Sequence, residues 1–480
     1  MVFNSIAFLV FLAVVLTLYY RLRHRAQNIL LVAASYLFYG WWDWRFLGLL
    51  LFTTFFDYWC ALRLESVNDP AKRKWFLAFS MVMNLGVIGV FKYFDFFAES
   101  LADLLQTFGM RADMPTLHVI LPVGISFYTF LSMSYTIDVY RRELKAARNP
   151  LDFMLYVSFF PHLVAGPIVR AKDLLPQCRE PRTIQRDQVI DGIWLCLVGY
   201  LKKIVIADRL APFVDSGFAT GQSPFQDATS WLVLYAFALQ IYGDFSGYSD
   251  IARGLAKLMG FELVHNFKAP YLVSNPAAFW RHWHISLSVW LRDYLYIPLG
   301  GNRHGAWKTT RNLMITMVLG GLWHGAGIAF LAWGLYHGIL LVLHRAWESI
   351  RKKSRSAGDE PVAEQGPFIL RAMAVIVFFH LTCIGWLLFR SGTVPEEIGQ
   401  WNVISSYLAT LWIVPTHVSG YLWPVLLLGS LALLLQWRHA AMDCFSAWTS
   451  GRQALAVASV LTLIFTLGVF DGSSFIYFQF

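Results

Sequence analysis

The sequence predicts an all-α, polytopic membrane protein, and three observations point to that class. Hydrophobic residues make up 57% of the chain and charged residues only 14%, against about a quarter charged in an average soluble domain. Apolar runs long enough to cross a bilayer, about 20 residues each, recur from one end to the other. The basic residues fall on alternate loops between those runs, the pattern left by positive-inside insertion. A soluble enzyme on a single anchor is excluded. The formal net charge of +9 follows from topology, and no nucleic-acid partner is expected.

The first run, residues 3–20, has neither a basic leader nor an A-x-A-like cleavage site, so it reads as a retained helix. Runs follow at 29–42, 46–64, 75–97, 117–139, 151–169, 189–206 and 231–245. After a polar interval come 313–343, 368–389, 421–437 and 454–470. The sum is roughly 11–13 membrane segments, the shorter ones re-entrant. Arg21, Arg23 and Arg25 mark one basic loop; Arg63, Lys72, Arg73 and Lys74 a second; Arg141, Arg142, Lys145 and Arg148 a third. The loops around 99–113 and 215–227 are acidic. Positive-inside bias then places the basic loops and the linker 345–371 in the cytoplasm and both termini outside it. The five cysteines (Cys60, Cys178, Cys196, Cys383 and Cys444) show no C-x-x-C spacing and imply neither disulfide framework nor zinc site.

A polar belt over 242–327 breaks the apolar pattern. It opens with YGDFSGYSD (242–250), which carries Asp244 and Asp250. It continues through FWRHWHISLSVWLRDYLYIPLGGNRHG (279–305) and ends in GGLWHGAG (320–327), which places His324 in the apolar run 313–343. An ionisable side chain at that depth is costly and marks a functional site unless a neighbour satisfies it. The glycines around it imply close backbone approach or room for a ligand. Helical spacing sets Trp283, Leu287 and Trp290 on one stripe, with Arg281, His284, Ser288 and Arg292 near another. That mixture suits an interfacial or re-entrant helix pair, read either as an amphipathic helix on the cytoplasmic leaflet or, better, as part of a polar cavity shared with His324. His282, His284 and His324 lack the spacing of a metal site, and no H-E-x-x-H is present. No G-x-S-x-G elbow exists either. Histidine as general base is the chemistry that remains.

The combination of YGDFSGYSD, RHWHISLSVWLRDYLYIPLGGNR and GGLWHG resembles the membrane-bound O-acyltransferase family, in its bacterial polysaccharide branch. SYLFYGWW (35–42), LPVGISFYTF (121–130) and FPHLVAGPIVR (160–170) extend the resemblance over most of the chain. The resemblance implies a ring of tilted helices around a central tunnel, with His324 as the active-site histidine and His284 as a second polar residue. It implies no bound cofactor, and acetyl-CoA or another acetyl thioester as donor from the cytoplasmic side. It further implies a place in the bacterial inner membrane, a polysaccharide acceptor and a periplasmic SGNH-type acetyltransferase as partner. Oxyanion stabilisation is open to His284, Arg281, Asn302 or backbone N–H groups near Gly300 and Gly301. Trp283 and Trp323 are expected to exclude water. Asp244, Asp250 and Asp293 are expected to orient the histidines or to pair with Arg281, Arg292 and Arg303.

The last six residues, FIYFQF (475–480), fit either an interfacial aromatic belt or a catalytic tail. They resemble the C-terminal motif of teichoic acid D-alanylation systems, which implies that Tyr477 carries the acyl group transiently. The expected organisation is a transmembrane domain over 1–470 and a shuttle motif over 471–480. The reading is acetyl transfer across the membrane for O-acetylation of an exported polysaccharide such as alginate. Its alternatives are a lipid or protein acyltransferase, and a transporter with no covalent chemistry.

Overall fold

Four helix starts among the described residues are written by short capping sequences. Ser5 accepts a hydrogen bond from the Phe8 N–H at 3.2 Å and opens α1 (Ile6–Tyr19). Asp69, Asn149 and Asn275 each precede a proline, and their side chains accept from Ala71, Leu151 and Ala278 at 2.8, 3.0 and 2.8 Å. A capping oxygen followed by proline at the first helical position satisfies one orphan N–H and removes another. The computed structural model describes residues 1–110, 114–219, 230–353, 367–395, 398–411, 420–438, 442–471 and 475–476. Every regular element among them is helical.

The chain divides into two units. The first comprises Met1–Leu197, Tyr248–Val264 and Asp471–Phe478. It holds α1, α2 (His24–Asp43), α3 (Arg45–Ser66) and α4 (Pro70–Ile88), the last running through a π-helical turn at Gly89–Tyr93 into α5 (Phe94–Thr107). Next come α6 (Ile125–Tyr140), α7 (Pro150–Ser158), α8 (Ala171–Arg179) and most of α9 (Arg186–Tyr200). Helix α6 is buried on nearly every side, as a helix without a polar face must be. The buried carboxylate of Asp57 on α3 accepts from Ser80 at 2.5 Å and Asn84 at 2.9 Å, both on α4, and from Thr136 of α6 at 3.4 Å. Buried charge is tolerated where its lone pairs are met in this way.

The second unit comprises Val198–Gly247 and His265–Phe470. A π-helical segment, Leu201–Ala207, leads into α10 (Asp208–Phe218), and α11 (Ser230–Leu258) follows. Two short helices, α12 (Pro276–His282) and α13 (Ile285–Leu291), precede α14 (Gly305–His324) and α15 (Ile328–Lys353). The remainder is α16 (Phe368–Ser391), α17 (Gln400–Thr410), α18 (Leu422–Trp437) and α19 (Ser450–Leu467).

Five described helices are long and apolar enough to cross a membrane: Arg45–Ser66, Pro70–Thr107, Ile328–Arg351, Phe368–Ser391 and Ser450–Leu467. Ile6–Tyr19 and Leu422–Trp437 are shorter apolar helices. Their outward residues include Ile6, Phe368 and Phe465 at 82, 79 and 73% exposure, a surface suited to lipid and not to water.

Four apolar runs behave differently from straight spans. Run 117–139 becomes helical only at Ile125, after Gly124 turns the chain at φ +77° with Leu163 O 3.0 Å from where a Cβ would stand. Run 151–169 leaves the helix after Ser158. Run 231–245 continues as helix to Leu258, so YGDFSGYSD lies inside α11 and not at the end of a span. Run 313–343 is two helices broken after His324.

Candidate active site

The break between α14 and α15 fixes the position of His324. It is the last residue of α14, and Gly325 continues in extended backbone at φ −161°. The glycines of GGLWHGAG serve close packing. A Cβ on Gly321 would stand 2.2 Å from Phe330 O, and one on Gly334 would stand 2.3 Å from Met317 O, so α14 and α15 touch backbone to backbone. Gly325 admits the Phe330 ring, whose nearest carbon would be 2.1 Å from a Cβ. The expectation of a close approach or a ligand space at these glycines resolves to the approach.

His284 is set by a second break. Helical spacing sets Trp283 and His284 on neighbouring stripes, but the chain leaves the helix at Trp283 and His284 takes left-handed backbone, φ +42°. Left-handed backbone at a residue with a full side chain is strained and persists only where surrounding structure enforces it. Asn266 does so. Its carbonyl accepts from Ile285 N at 3.0 Å, and its Oδ1 accepts from Ser286 N at 3.2 Å and Ser286 Oγ at 2.9 Å. The same Oδ1 lies 3.1 Å from His284 Nδ1. Because a backbone N–H donates to it, this atom is the oxygen and can only accept. The imidazole proton therefore sits on Nδ1, and Nε2 is the nitrogen able to take a proton. In that tautomer Nε2 is an acceptor.

The two rings meet in an aromatic enclosure. Their centroids are 6.3 Å apart; His284 is fully buried and His324 is 4% exposed. Trp323, Trp333 and Phe389 stand edge-on to His324 at 4.9, 5.0 and 5.3 Å. Phe245 stands edge-on to His284 at 4.6 Å, and Trp323 lies 6.0 Å from it. Trp283 is 1% exposed, tilted against Trp386 at 4.7 Å and stacked on Phe279 at 5.7 Å. This packing leaves almost none of either histidine accessible.

The charged candidates lie elsewhere. Arg281 and Asn302 are exposed, and Asn302 lines an open groove of about 920 Å³ with Arg345 and Glu348. Gly300 and Gly301 turn there at φ +111° and +54°. Arg292 pairs with its neighbour Asp293 at 2.6 Å, as expected. The other two carboxylates differ from expectation. Asp244, buried on α11, pairs with Lys203 at 2.6 Å, and Lys203 also reaches Asp208 at 2.8 Å. Asp250, in the first unit, lies 3.8 Å from Arg253 one helical turn on. Both found cations on or beside their own helix, which spacing within the belt did not reveal. Asn266, Lys203 and Trp333 escaped the sequence reading; an Asn 18 residues before a histidine carries no periodic signal.

Of the C-terminal motif, Phe475 and Ile476 are described. Phe475 is 1% exposed, 4.7 Å edge-on to Tyr248 and 6.3 Å from Phe3, which stacks on Tyr248 at 4.6 Å. Tyr477 lies outside the described residues, as do 354–366 of the linker.

Residues 47–387 match the model of MBOAT, the membrane-bound O-acyltransferase family. A probable alginate O-acetylase of Pseudomonas aeruginosa is 45% identical over 410 residues, 85% of this chain and 75% of that protein. A peptidoglycan O-acetyltransferase of Helicobacter pylori is 35% identical over 434 residues, covering 83% and 78%. A teichoic acid D-alanyltransferase of Streptococcus thermophilus is 29% identical over 286 residues, covering 56% and 68%. A buried histidine pair on an all-helical, lipid-facing scaffold, together with these matches, identifies the chain as a membrane-embedded O-acyltransferase belonging to the membrane-bound O-acyltransferase family.

Proposed function

We propose that the protein moves acetyl groups from a cytoplasmic thioester, acetyl-CoA or another, across the bacterial inner membrane for O-acetylation of an exported polysaccharide. The observation that carries the chemistry is the enclosed pair His284 and His324, with the His284 tautomer fixed by Asn266. An acceptor hydroxyl between the rings loses its proton to His324 as its oxygen attacks the thioester carbon. The proton arrives at the C-terminal end of α14, where the helix dipole favours positive charge. It then passes to the departing thiolate, so the base is restored.

The acceptor in this reading is Tyr477, which hands acetyl to a periplasmic SGNH-type acetyltransferase and so to the polymer. A phenol ionises more readily than a sugar hydroxyl, and its ester is the more activated donor. Support comes from Phe475 and Ile476, buried at 1 and 8%, where a membrane-belt role would expose them. The names of the relatives, an alginate O-acetylase and a peptidoglycan O-acetyltransferase, favour a polysaccharide as final acceptor.

The test is Tyr477→Phe, which removes one hydroxyl and keeps the ring. Polymer acetyl content in cells should fall to background at unchanged protein abundance. Mass spectrometry of the wild-type C-terminal peptide should find acetyl on Tyr477 when the periplasmic partner is deleted. Normal polymer acetylation by the Phe variant would refute the carrier role.

A further inference from the structure

Five buried polar atoms of the second unit have no place in the site just described. They are both ring nitrogens of His337 and the indole nitrogens of Trp280, Trp333 and Trp386, none with a hydrogen-bond partner among the described residues. His337 is fully buried, and Trp333 and Trp386 are each 1% exposed. The four side chains adjoin one another. His337 lies 5.0 Å from Trp333 and 5.3 Å from Trp280, centroid to centroid. Trp333 lies 5.6 Å from Trp280 and 6.3 Å from Trp386.

Packing does not account for such a cluster. A buried N–H without a partner carries a desolvation penalty, and native interiors hold few. Phenylalanine at any of these positions would supply similar apolar bulk without that penalty. The chain also makes room for His337: a Cβ on Gly385 would stand 2.7 Å from its Nε2. The cluster meets the reacting centre at one point, where Trp333 stands 5.0 Å from His324 with the rings at 85°.

We infer that this cluster is the carbonyl-binding subsite for the acyl donor. The Trp333 indole N–H stabilises the thioester oxygen beside His324, and Trp280, Trp386 and His337 hydrogen-bond the amide-bearing carrier arm. The inference rests on the thioester reading above. Indole N–H groups only donate, and carbonyl oxygens only accept, so the chemistries match. The broad ring faces suit the methylene segments between the carbonyls. In the step itself, the acceptor oxygen bonds to the thioester carbon and its proton goes to the histidine pair. The carbonyl electrons move onto oxygen, where the indole N–H holds them. Collapse breaks the C–S bond, and the thiolate takes the proton. Arg281 and Asn302, both exposed, do not supply this donor.

The experiment uses the full-length protein in detergent with acetyl-CoA as probe, comparing wild type, Trp333→Phe and His337→Phe. The first turnover, one thiol per Tyr477, gives a limiting rate (kcat below) and a half-saturating acetyl-CoA concentration (KM below), and thermal unfolding gives Tm. Trp333→Phe should lower kcat about 10²–10³-fold, the usual cost of one oxyanion donor, with KM little changed. His337→Phe should raise KM several-fold. His337→Phe should melt at or above the wild-type temperature, because unsatisfied polar atoms are replaced by carbon; Trp333→Phe also removes part of a buried ring, so its loss of kcat should exceed any loss that follows Tm. Wild-type kinetics in both variants would overturn the subsite, as would activity lost only in step with Tm. Absence of thiol release by the wild type is a separate result, which sinks the thioester reading itself.

Discussion

His284 combines three features seldom found together: a left-handed backbone, complete burial and a ring held through one nitrogen by Asn266. The strain at φ +42° is maintained by the Asn266 clamp on Ile285 and Ser286. Removing the clamp should free both the turn and the tautomer. Asn266→Ala is expected to lower thiol release roughly 10–100-fold, the range seen when an orienting partner of an active-site histidine is lost. Asn266→Asp keeps the acceptor oxygen and should retain more activity than the alanine variant. Equal loss in both would show that Asn266 acts otherwise than by accepting from Nδ1–H. His324 was legible in the sequence because an imidazole is costly in apolar surroundings; His284 was picked out by the resemblance of its motif. Arg281 was set beside His284 by helical spacing, and the chain leaves the helix at Trp283, so that spacing ceased to apply.

At the scale of elements, the decisive contact is the crossing of α14 and α15. Gly321 and Gly334 bring two backbones together just where His324 ends its helix. Gly321→Ala would place a methyl 2.2 Å from Phe330 O, and backbone cannot yield as a side-chain tip can. Strain of this kind typically costs about 1–3 kcal/mol. The variant should melt earlier and lose activity by displacing His324; an unchanged Tm and turnover would show that the helices do not approach so closely. The glycine run was visible in the sequence, but its choice between close approach and ligand space was not, because that depends on the partner helix. Capping sequences such as Asp69-Pro70 and Asn149-Pro150 were legible signals that hydropathy runs overlook.

For the whole molecule, composition and the apolar runs were sufficient to give the class, and five helices among the described residues carry the length and hydropathy of spans. The irregular stretches after Ser158 and before Ile125 were not legible, since an apolar run reads alike as span or as buried turn. The alternation of basic and acidic stretches along the chain gives an expected sidedness. With the five native cysteines replaced, a single cysteine at Arg351 should react with an impermeant reagent only after cells are opened, and one at Glu99 should react in intact cells. Labelling at 351 from outside would reverse the topology and move the donor to the wrong side.

The central claim is that this membrane protein breaks an acyl thioester at the histidine pair. The most direct measurement is release of free thiol from acetyl-CoA by the purified protein, wild type against His324→Ala, at matched folding and concentration. A general base contributes about 10²–10⁴-fold, so the variant should fall to the rate of protein-free buffer while its melting temperature holds. A His324→Ala protein that kept a tenth or more of wild-type thiol release would contradict the account.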